Sequence, residues 1–241
     1  AGARLSRLRF LDVVCVTDGA PHDMRDAAAN GFASRDEYAR ARAGERERAL
    51  AIAHILPAQI HDIGCIDQEA SFGLSEITRH ITNLLRQTRP EIVLTHPYEG
   101  GHPDHDATAF AVHHAVKQLA AAHDSAPTIV EFASYHWHDG AMRTGCFLPD
   151  PRLRVRTLSL GSDERELKTA MFACYGTQQD VLAQFSTDVE RFRLAPAYDF
   201  TAPPHEGRLF YEWFDWRVDG REWRRLAERA LVELGAPAAA C

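Results

Sequence analysis

The residues best suited to chemistry lie in one stretch, 91–108, which reads EIVLTHPYEGGHPDHDAT. An apolar run, Ile92-Val93-Leu94, ends at Thr95-His96-Pro97, and a loop containing glycine leads on to His102-Pro103-Asp104-His105. The imidazoles and carboxylates thus follow a predicted strand, which is where an open α/β sheet places its ligands. This grouping suits a hard or borderline divalent metal, zinc above all. The spacing predicts metal or acid–base chemistry, with a purely structural loop as the alternative.

The loop has features that would fix the geometry of such a site. Pro103 restricts one backbone angle, and Asp104 can accept a hydrogen bond from an imidazole and so set its tautomer. A catalytic zinc takes three protein ligands, so part of the set must come from a neighbouring strand end. The candidates are Asp18 and Pro21-His22-Asp23, which follow the first apolar run; the alternative for His22-Asp23 is an ordinary polar turn.

The elements that must position this loop alternate between strand and helix. Strands are predicted at residues 10–17 (buried on both faces), 59–64, 91–95, 128–135, 153–160 and 208–216. Helices are predicted at residues 2–8, 35–56 (capped by Ser34), 74–88, 106–122, 162–175 (capped by Ser162) and 221–235. Residues 136–151 are predicted to be irregular, and 186–207 to wrap the surface. This order predicts an α/β fold with a mostly parallel sheet and helices on both faces.

Bulk composition excludes several classes of protein. The 241 residues carry a formal net charge of -7, which argues against a nucleic-acid-binding protein, since such proteins carry a basic surface. No apolar run is long enough for a membrane span. The five cysteines are odd in number and form no CxxC pair; Cys15, Cys65 and Cys174 are interpreted as small core residues. A reducing, cytoplasmic location is the simplest expectation.

Several segments together resemble the LmbE-like, or PIG-L-like, family of zinc-dependent N-acetylglucosaminyl deacetylases. The most specific segment is Gly101-His102-Pro103-Asp104-His105, preceded by the strand that begins at Pro90. Weaker similarity lies in four further segments: VVCVTDGAP at 13–21, Arg42-x-x-Glu45, Asp67-Gln68-Glu69, and the run from Lys168 to Gln178. The resemblance covers roughly residues 1–180.

The resemblance implies a fold, an activity and residue roles. The fold would be a Rossmann-like α/β sandwich, forming one domain over 1–241 with 186–241 as a C-terminal extension. The activity would be hydrolysis of a linear amide, the N-acetyl group of an N-acetylglucosamine-type sugar or glycoconjugate. His105 would bind Zn²⁺, with Fe²⁺ as the alternative metal. His102 would stabilise the oxyanion and protonate the leaving amine, Asp104 would orient His102, and Arg42 would lie near the sugar.

One departure from the family pattern separates two functional hypotheses. The family's first motif, of the form His-Pro-Asp-Asp-Glu, does not occur in the sequence, and Ala1-Gly2-Ala3-Arg4-Leu5 is similar to the helix that follows it. We therefore expect an N-terminally truncated deacetylase that lacks the first strand and binds zinc weakly as it stands. The alternative is a non-catalytic carbohydrate-binding homologue. A nucleotide-binding Rossmann protein is disfavoured, because no GxGxxG follows a strand.

The substrate class and the assembly state are less constrained. A small-molecule amino sugar is the expected partner, and homo-oligomerisation stays open. Trp137 and the aromatic run from Tyr211 to Trp216 could line a carbohydrate cleft, with core packing or subunit contact as the alternative.

Overall fold

The computed structural model describes residues 11–235. The helix predicted at residues 2–8, and Phe10 at the start of the first predicted strand, lie outside this range. The strands are β1 (Val13–Pro21), β2 (Ile60–Asp67), β3 (Ile92–Thr95), β4 (Thr128–Phe132), β5 (Tyr135–His138), β6 (Ala141–Thr144), β7 (Arg156–Ser159) and β8 (Val189–Leu194). The helices are α1 (Arg25–Ala29), α2 (Arg35–Ile52), α3 (Leu74–Thr88), α4 (Pro103–Ala121), α5 (Ser162–Ala173), α6 (Gln179–Leu182) and α7 (Gly220–Glu233).

The predicted α/β class is confirmed, and the described residues fall into two compact units. The first comprises residues 11–67 and 157–190, and the second residues 68–156 and 191–235. Each unit contains parallel strand pairing, β1 with β2 in the first and β3 with β4 in the second. The single domain over 1–241 with an extension at 186–241 stays a prediction.

The first unit is built around β1 and α2. β1 pairs in parallel with β2 from Val13 opposite Ile60 onward, and α2 packs against β1 and α5. Ser34 caps α2 as predicted, by accepting a hydrogen bond from the Glu37 amide at 3.2 Å. β1 is half-buried rather than buried on both faces, with Val14 37% exposed, because within residues 11–235 it pairs with β2 alone.

The second unit carries its core between helices. α3 spans residues 74–88 as predicted, and Ile77, Ile81 and Leu85 of its apolar face are buried. This face packs against α4 and α7, whose Phe110 and Trp223 are fully buried. The helices thereby hold the first turn of α4 against a rigid core.

The second unit also contains the largest corrections to the predicted elements. α4 begins at Pro103 rather than at residue 106, so the His-Pro-Asp-His motif forms its first turn. The stretch predicted as irregular, 136–151, contains most of the antiparallel hairpin β5–β6. The stretch predicted to wrap the surface contains β8, which pairs antiparallel with β4. β5, β6 and β8 were missed because the pairing that stabilises each strand cannot be seen from its own hydrophobic periodicity.

Smaller corrections concern segment ends and the cysteines. Residues 208–216 form no strand but a 3-10 turn over Phe210–Trp213, and α5 is capped at Gly161 rather than Ser162. Cys15, Cys65 and Cys174 are half-buried rather than core residues. None of the helices within residues 11–235 has both the length and the apolarity that spanning a bilayer requires.

A buried ionic cluster ties β8 to β4 and to the loop after β3. Arg193 donates to Glu131 at 2.6 Å and to Glu99 at 3.0 Å, and all three side chains are at most 5% exposed. Tyr198 donates its hydroxyl to Glu131 at 2.7 Å, and the Arg193 guanidinium lies 4.1 Å from the centre of the Phe147 ring. Burial raises the pKa of Glu131 to about 7, although Arg193 opposes the shift. The Arg193 guanidinium therefore offsets the desolvation cost of two buried acidic side chains, those of Glu99 and Glu131.

Replacing Arg193 by methionine tests how much this ionic cluster contributes to the stability of the protein. Because Glu99 and Glu131 would be left buried without their cation, Arg193→Met is expected to lower the free energy of unfolding by about 3–5 kcal/mol. Urea unfolding followed by circular dichroism measures the change. Arg221→Met on the exposed face of α7 is the control and should change stability by no more than about 0.5 kcal/mol. Equal losses in both variants would contradict this assignment.

Candidate functional site

The first turn of α4 presents the predicted site residues on one short segment. His102 is the N-cap residue, with extended backbone, and its Nδ1 accepts a hydrogen bond from the Asp104 amide at 3.2 Å. Pro103 occupies the first helical position, where its missing N–H costs nothing. Trp223 of α7 donates its indole N–H to the Pro103 carbonyl at 3.1 Å. The turn is thus fixed by its own capping bond and by the core.

Two buried carboxylates in this turn bind backbone amides of other segments. Asp104 accepts from the Gln68 amide at 2.6 Å and from the Ala70 amide at 3.0 Å. Its carboxylate lies 3.8 Å from His102 Nδ1, beyond hydrogen-bonding distance. Asp106 accepts from the amides of Glu99 and Gly100 at 3.3 and 3.2 Å. Negative charge at a helix N-terminus is also favoured by the helix dipole.

Three imidazoles, those of His96, His102 and His105, come together at this turn. His96, at the end of β3, stacks on His105 with ring centroids 3.9 Å apart and an interplanar angle of 7°. His102 and His105 have ring centroids 5.2 Å apart. Ser134 Oγ lies 3.4 Å from His105 Nδ1, which leaves Nε2 as the nitrogen available to a ligand.

Burial sets the protonation state of these imidazoles. It lowers the pKa of His102 to about 3, with His96 as a smaller cause, and it holds the pKa values of His96 and His105 well below the ordinary value. The imidazolium form is disfavoured because a charge loses its hydration on burial. Burial likewise raises the pKa of Asp106 well above its usual range, against the two backbone donors. The three histidines are therefore neutral, the form that coordinates metals.

The remaining residues predicted for the site, Arg42 and the candidate ligands Asp18 and His22-Asp23, lie in the first unit. Arg42 on α2 donates to the Gly19 carbonyl at 3.2 Å, to Glu45 at 2.8 Å and to Thr177 at 3.3 Å. Glu45 is 4% exposed and also accepts from the Thr177 amide at 2.8 Å. The guanidinium is therefore held in place by the protein, with 17% of its side chain exposed.

The candidate ligands Asp18, within β1, and His22-Asp23, just after it, contact other residues of the first unit. Asp18 accepts from the Ala20 amide at 3.0 Å and forms an ion pair with Arg35. Asp23 accepts from the Arg25 amide at 3.2 Å, and the His22 side chain is exposed, as in an ordinary polar turn.

Ser134 and Tyr135, near the imidazoles, were not predicted as site residues, and Trp216 was named only within an aromatic run that could line a carbohydrate cleft. Ser134 lies in the short connection after β4 and Tyr135 begins β5, and Tyr135 contacts His105 edge to face with centroids 5.2 Å apart. Trp216 lies against His102 with centroids 4.8 Å apart. The position of Ser134 and Tyr135 beyond a parallel strand was a usable signal, since that edge of the sheet carries ligands. Trp216 had none beyond its place in an aromatic run.

Part of the chain that includes this turn is similar to a known protein family. Residues 5–116 match the family model of PIG-L, described as GlcNAc-PI de-N-acetylase. This stretch, just under half of the chain, is similar to the PIG-L family. It includes β3 and the first turn of α4, so the histidines lie within the matched region. No curated protein sequence matches the chain.

Solved structures of deacetylases share the fold. The A40926 pseudoaglycone deacetylase Dbv21 is 20% identical, with a TM-score of 0.59 over 82% of this chain and 92% of that one. A deacetylase of the teicoplanin biosynthesis pathway is 18% identical, with a TM-score of 0.61 over 80% and 90%. N,N'-diacetylchitobiose deacetylase from Pyrococcus horikoshii is 20% identical, with a TM-score of 0.52 over 76% and 67%. At these identities the likeness establishes that the chain shares the fold of these solved structures.

Gly101, just before the cap residue, offers a test of how tightly the first turn of α4 is held. A Cβ at Gly101 would overlap the carbonyl oxygen of Tyr135, and neither backbone can move without disturbing the loop. Gly101→Ala is expected to lower the free energy of unfolding by at least about 2 kcal/mol. Chemical denaturation measures it.

Gly73→Ala is the matched control for this substitution. Its Cβ would lie 3.8 Å from Ile77 Cδ1, an ordinary contact, so its stability should change by less than about 1 kcal/mol. A Gly101→Ala protein as stable as Gly73→Ala would show that the loop is loosely packed.

Proposed function

We propose that the protein hydrolyses the N-acetyl group of an N-acetylglucosamine-type sugar or glycoconjugate in a metal-dependent reaction. The observation that carries the proposal is the convergence of three neutral imidazoles on the first turn of α4, within the stretch that matches the PIG-L family. The family description, a GlcNAc-PI de-N-acetylase, and the structural relatives named as deacetylases support the same reaction class. A cytoplasmic location, inferred from the cysteine pattern, belongs to the proposal.

The residues present fit a divalent metal such as Zn²⁺ or Fe²⁺. Metal-binding imidazoles must be neutral, and burial keeps His96, His102 and His105 in that form. Among the described residues, His96 Nδ1 is a buried nitrogen without a hydrogen-bond partner. We assign His105 as a metal ligand through Nε2.

The chain's own residues would act on the acetamide as follows. A bound metal would supply polarisation of the acetyl carbonyl and a water whose pKa is lowered to about 7. His102 accepts the Asp104 amide at Nδ1, so its proton lies on Nε2, where it can be donated to the developing oxyanion. His102 is neutral at rest, so the proton that the attacking water loses would first have to reach His102, and the lowered pKa of His102 would then favour passing a proton on to the leaving amine. Asp104 positions this turn through the amides of Gln68 and Ala70.

Arg42 is proposed to bind the sugar. Its contacts with Gly19, Glu45 and Thr177 fix the guanidinium in one orientation, and a fixed guanidinium donates to hydroxyl oxygens at a small entropic cost.

Acetate release from N-acetylglucosamine and from simple glycosides of it tests the function. The 241-residue chain and the full translation product of its gene are both assayed, after chelation and after return of Zn²⁺ or Fe²⁺. Acetate and free amine should appear in equal amounts and only with metal. His105→Ala should lose metal and activity together, and His102→Gln should keep metal while activity falls about 100-fold or more.

His80→Ala is the control, because His80 is an exposed histidine on α3. Its metal content and activity should equal those of the unmodified protein. Saturable sugar binding without acetate release, unaffected by chelator and by His105→Ala, would replace the proposal with the non-catalytic carbohydrate-binding homologue.

A further inference from the structure

Glu99, in the loop between β3 and α4, is a buried acidic side chain that the proposed reaction does not use. It is 2% exposed. Its Oε1 accepts hydrogen bonds from the Leu148 amide at 2.9 Å and from the Arg193 guanidinium at 3.0 Å. Its Oε2 lies 3.3 Å from Nδ1 of His136 in β5. Three segments of the second unit therefore hold this one carboxylate in place.

The backbone of the same residue holds the first turn of α4. The amides of Glu99 and Gly100 donate to the Asp106 carboxylate at 3.3 and 3.2 Å. Gly100 has a left-handed backbone with φ of 68°, which glycine adopts without strain, and its carbonyl accepts the Phe210 amide at 2.8 Å. Asp106 directly follows His105 in the turn. A displacement of the Glu99 side chain would therefore move the amides that fix this turn.

The side chain of Glu99 belongs to a buried group in which one guanidinium faces two carboxyl groups. We call it the Arg193 cluster, and its members are Arg193, Glu99, Glu131, His113, His136 and Tyr198. Arg193 also donates to Glu131 at 2.6 Å, and His113 Nε2 lies 3.9 Å from the same carboxyl group. Burial lowers the pKa of His113 to about 4, so this imidazole adds no positive charge at neutral pH. A second buried carboxylate is costly under these conditions.

Proton binding at Glu131 relieves this imbalance. Burial raises the pKa of Glu131 to about 7, and repulsion by Glu99 adds to the shift, while Arg193 and the Tyr198 hydroxyl oppose it. With the proton bound, Arg193 has Glu99 as its only charged partner among these two acids. With the proton lost, two carboxylates repel each other across one guanidinium, and the attraction that holds Glu99 is divided.

We propose that Glu99 is a positioning residue for His102 and His105, and that proton binding by the Arg193 cluster determines how firmly it holds them. Glu99 acts through its own amide and that of Gly100, both of which donate to Asp106. The inference rests on the proposed function only for its effect on turnover. Its effect on the turn is a property of the fold and is measured without substrate.

Replacing Glu99 tests the positioning role by amide exchange and by kinetics. In Glu99→Ala, the protection factors of the amides at positions 99 and 100 should fall at least ~10-fold in hydrogen exchange followed by NMR. In the full translation product with metal bound, kcat should fall at least ~10-fold while KM changes less than ~2-fold, because the turn is displaced and the sugar contacts are kept. Glu99→Gln should recover most of both losses, because its side-chain oxygen can still accept from Leu148 and Arg193.

Glu91→Ala is the matched control, because Glu91 is an exposed glutamate that directly precedes β3. It should keep the protection factors and kcat of the unmodified protein. Values for Glu99→Ala equal to those of Glu91→Ala would overturn the positioning role.

The pH dependence of exchange decides the case even if Glu99→Ala does not fold. Between pH 6 and 8 the protection factors at positions 99 and 100 should fall at least ~3-fold in the unmodified protein. They should stay constant in Glu131→Gln and in Glu99→Gln, because each variant leaves Arg193 with a single carboxylate. The same fall in all three proteins would overturn the link to the proton.

Stability measurements test the proton itself. Burial raises the pKa of Glu131 on folding, so the unfolded chain loses this proton first and stability falls as pH rises from about 5 to 7. The unfolding equilibrium constant of the unmodified protein, divided by that of Glu131→Gln, should rise by up to about tenfold per pH unit over this range and level off above about pH 7.5. A ratio independent of pH would assign the compensating proton to His136 and overturn its assignment to Glu131.

Failure of this inference and failure of the proposed function give different results. Acetate release with equal kcat in Glu99→Ala and Glu91→Ala rejects the positioning role alone. The expected changes in exchange and in pH-dependent stability, without acetate release by the unmodified protein, reject the hydrolytic function and leave the structural role of Glu99 standing.

Discussion

Two buried carboxylates at the start of α4 are the constraint on which the site depends. Burying a carboxyl group is costly unless hydrogen bonds replace its hydration. Backbone amides from two other segments donate to Asp104 and Asp106 and offset part of this cost. These bonds fix residues 68–70 and 99–100 around the helix N-terminus. His102 and His105 lie on the same turn, so their positions follow from the same bonds.

Elements far from this turn in sequence contribute the remaining residues around the imidazoles. His96, just after β3, stacks on the ring of His105, and Ser134, in the connection after β4, lies beside Nδ1 of His105. Arg193 holds β8, β4 and the loop containing Glu99 together through ionic hydrogen bonds. The neutrality of the imidazoles is a consequence of this packing, because enclosure by the core and by one another removes the water that would stabilise their charged forms.

The sequence predicted correctly those elements whose bounds are set by local signals, such as apolar periodicity and helix-ending residues. The helix at 74–88 has a clear apolar period and ends where Arg89 takes a left-handed conformation with φ of 46°, and its bounds were predicted correctly. The α4 start was missed because its first turn is polar, although Pro103 after a capping side chain is a known start signal.

β8 was missed because Arg193 breaks its apolar pattern and is compensated only by Glu131 and Glu99, far away in sequence. The histidine cluster was predicted from its place after a strand. The contacts of Trp216 and Tyr135 with the imidazoles depend on long-range packing, which a single sequence does not reveal.

Anomalous diffraction at the zinc edge, from crystals of the full translation product grown with Zn²⁺, would show directly whether the first turn of α4 binds metal through His105. We expect an anomalous peak about 2.0–2.1 Å from His105 Nε2, with His102 beside it and not displaced. A fully occupied zinc site elsewhere in the protein, with no peak at His105, would contradict it.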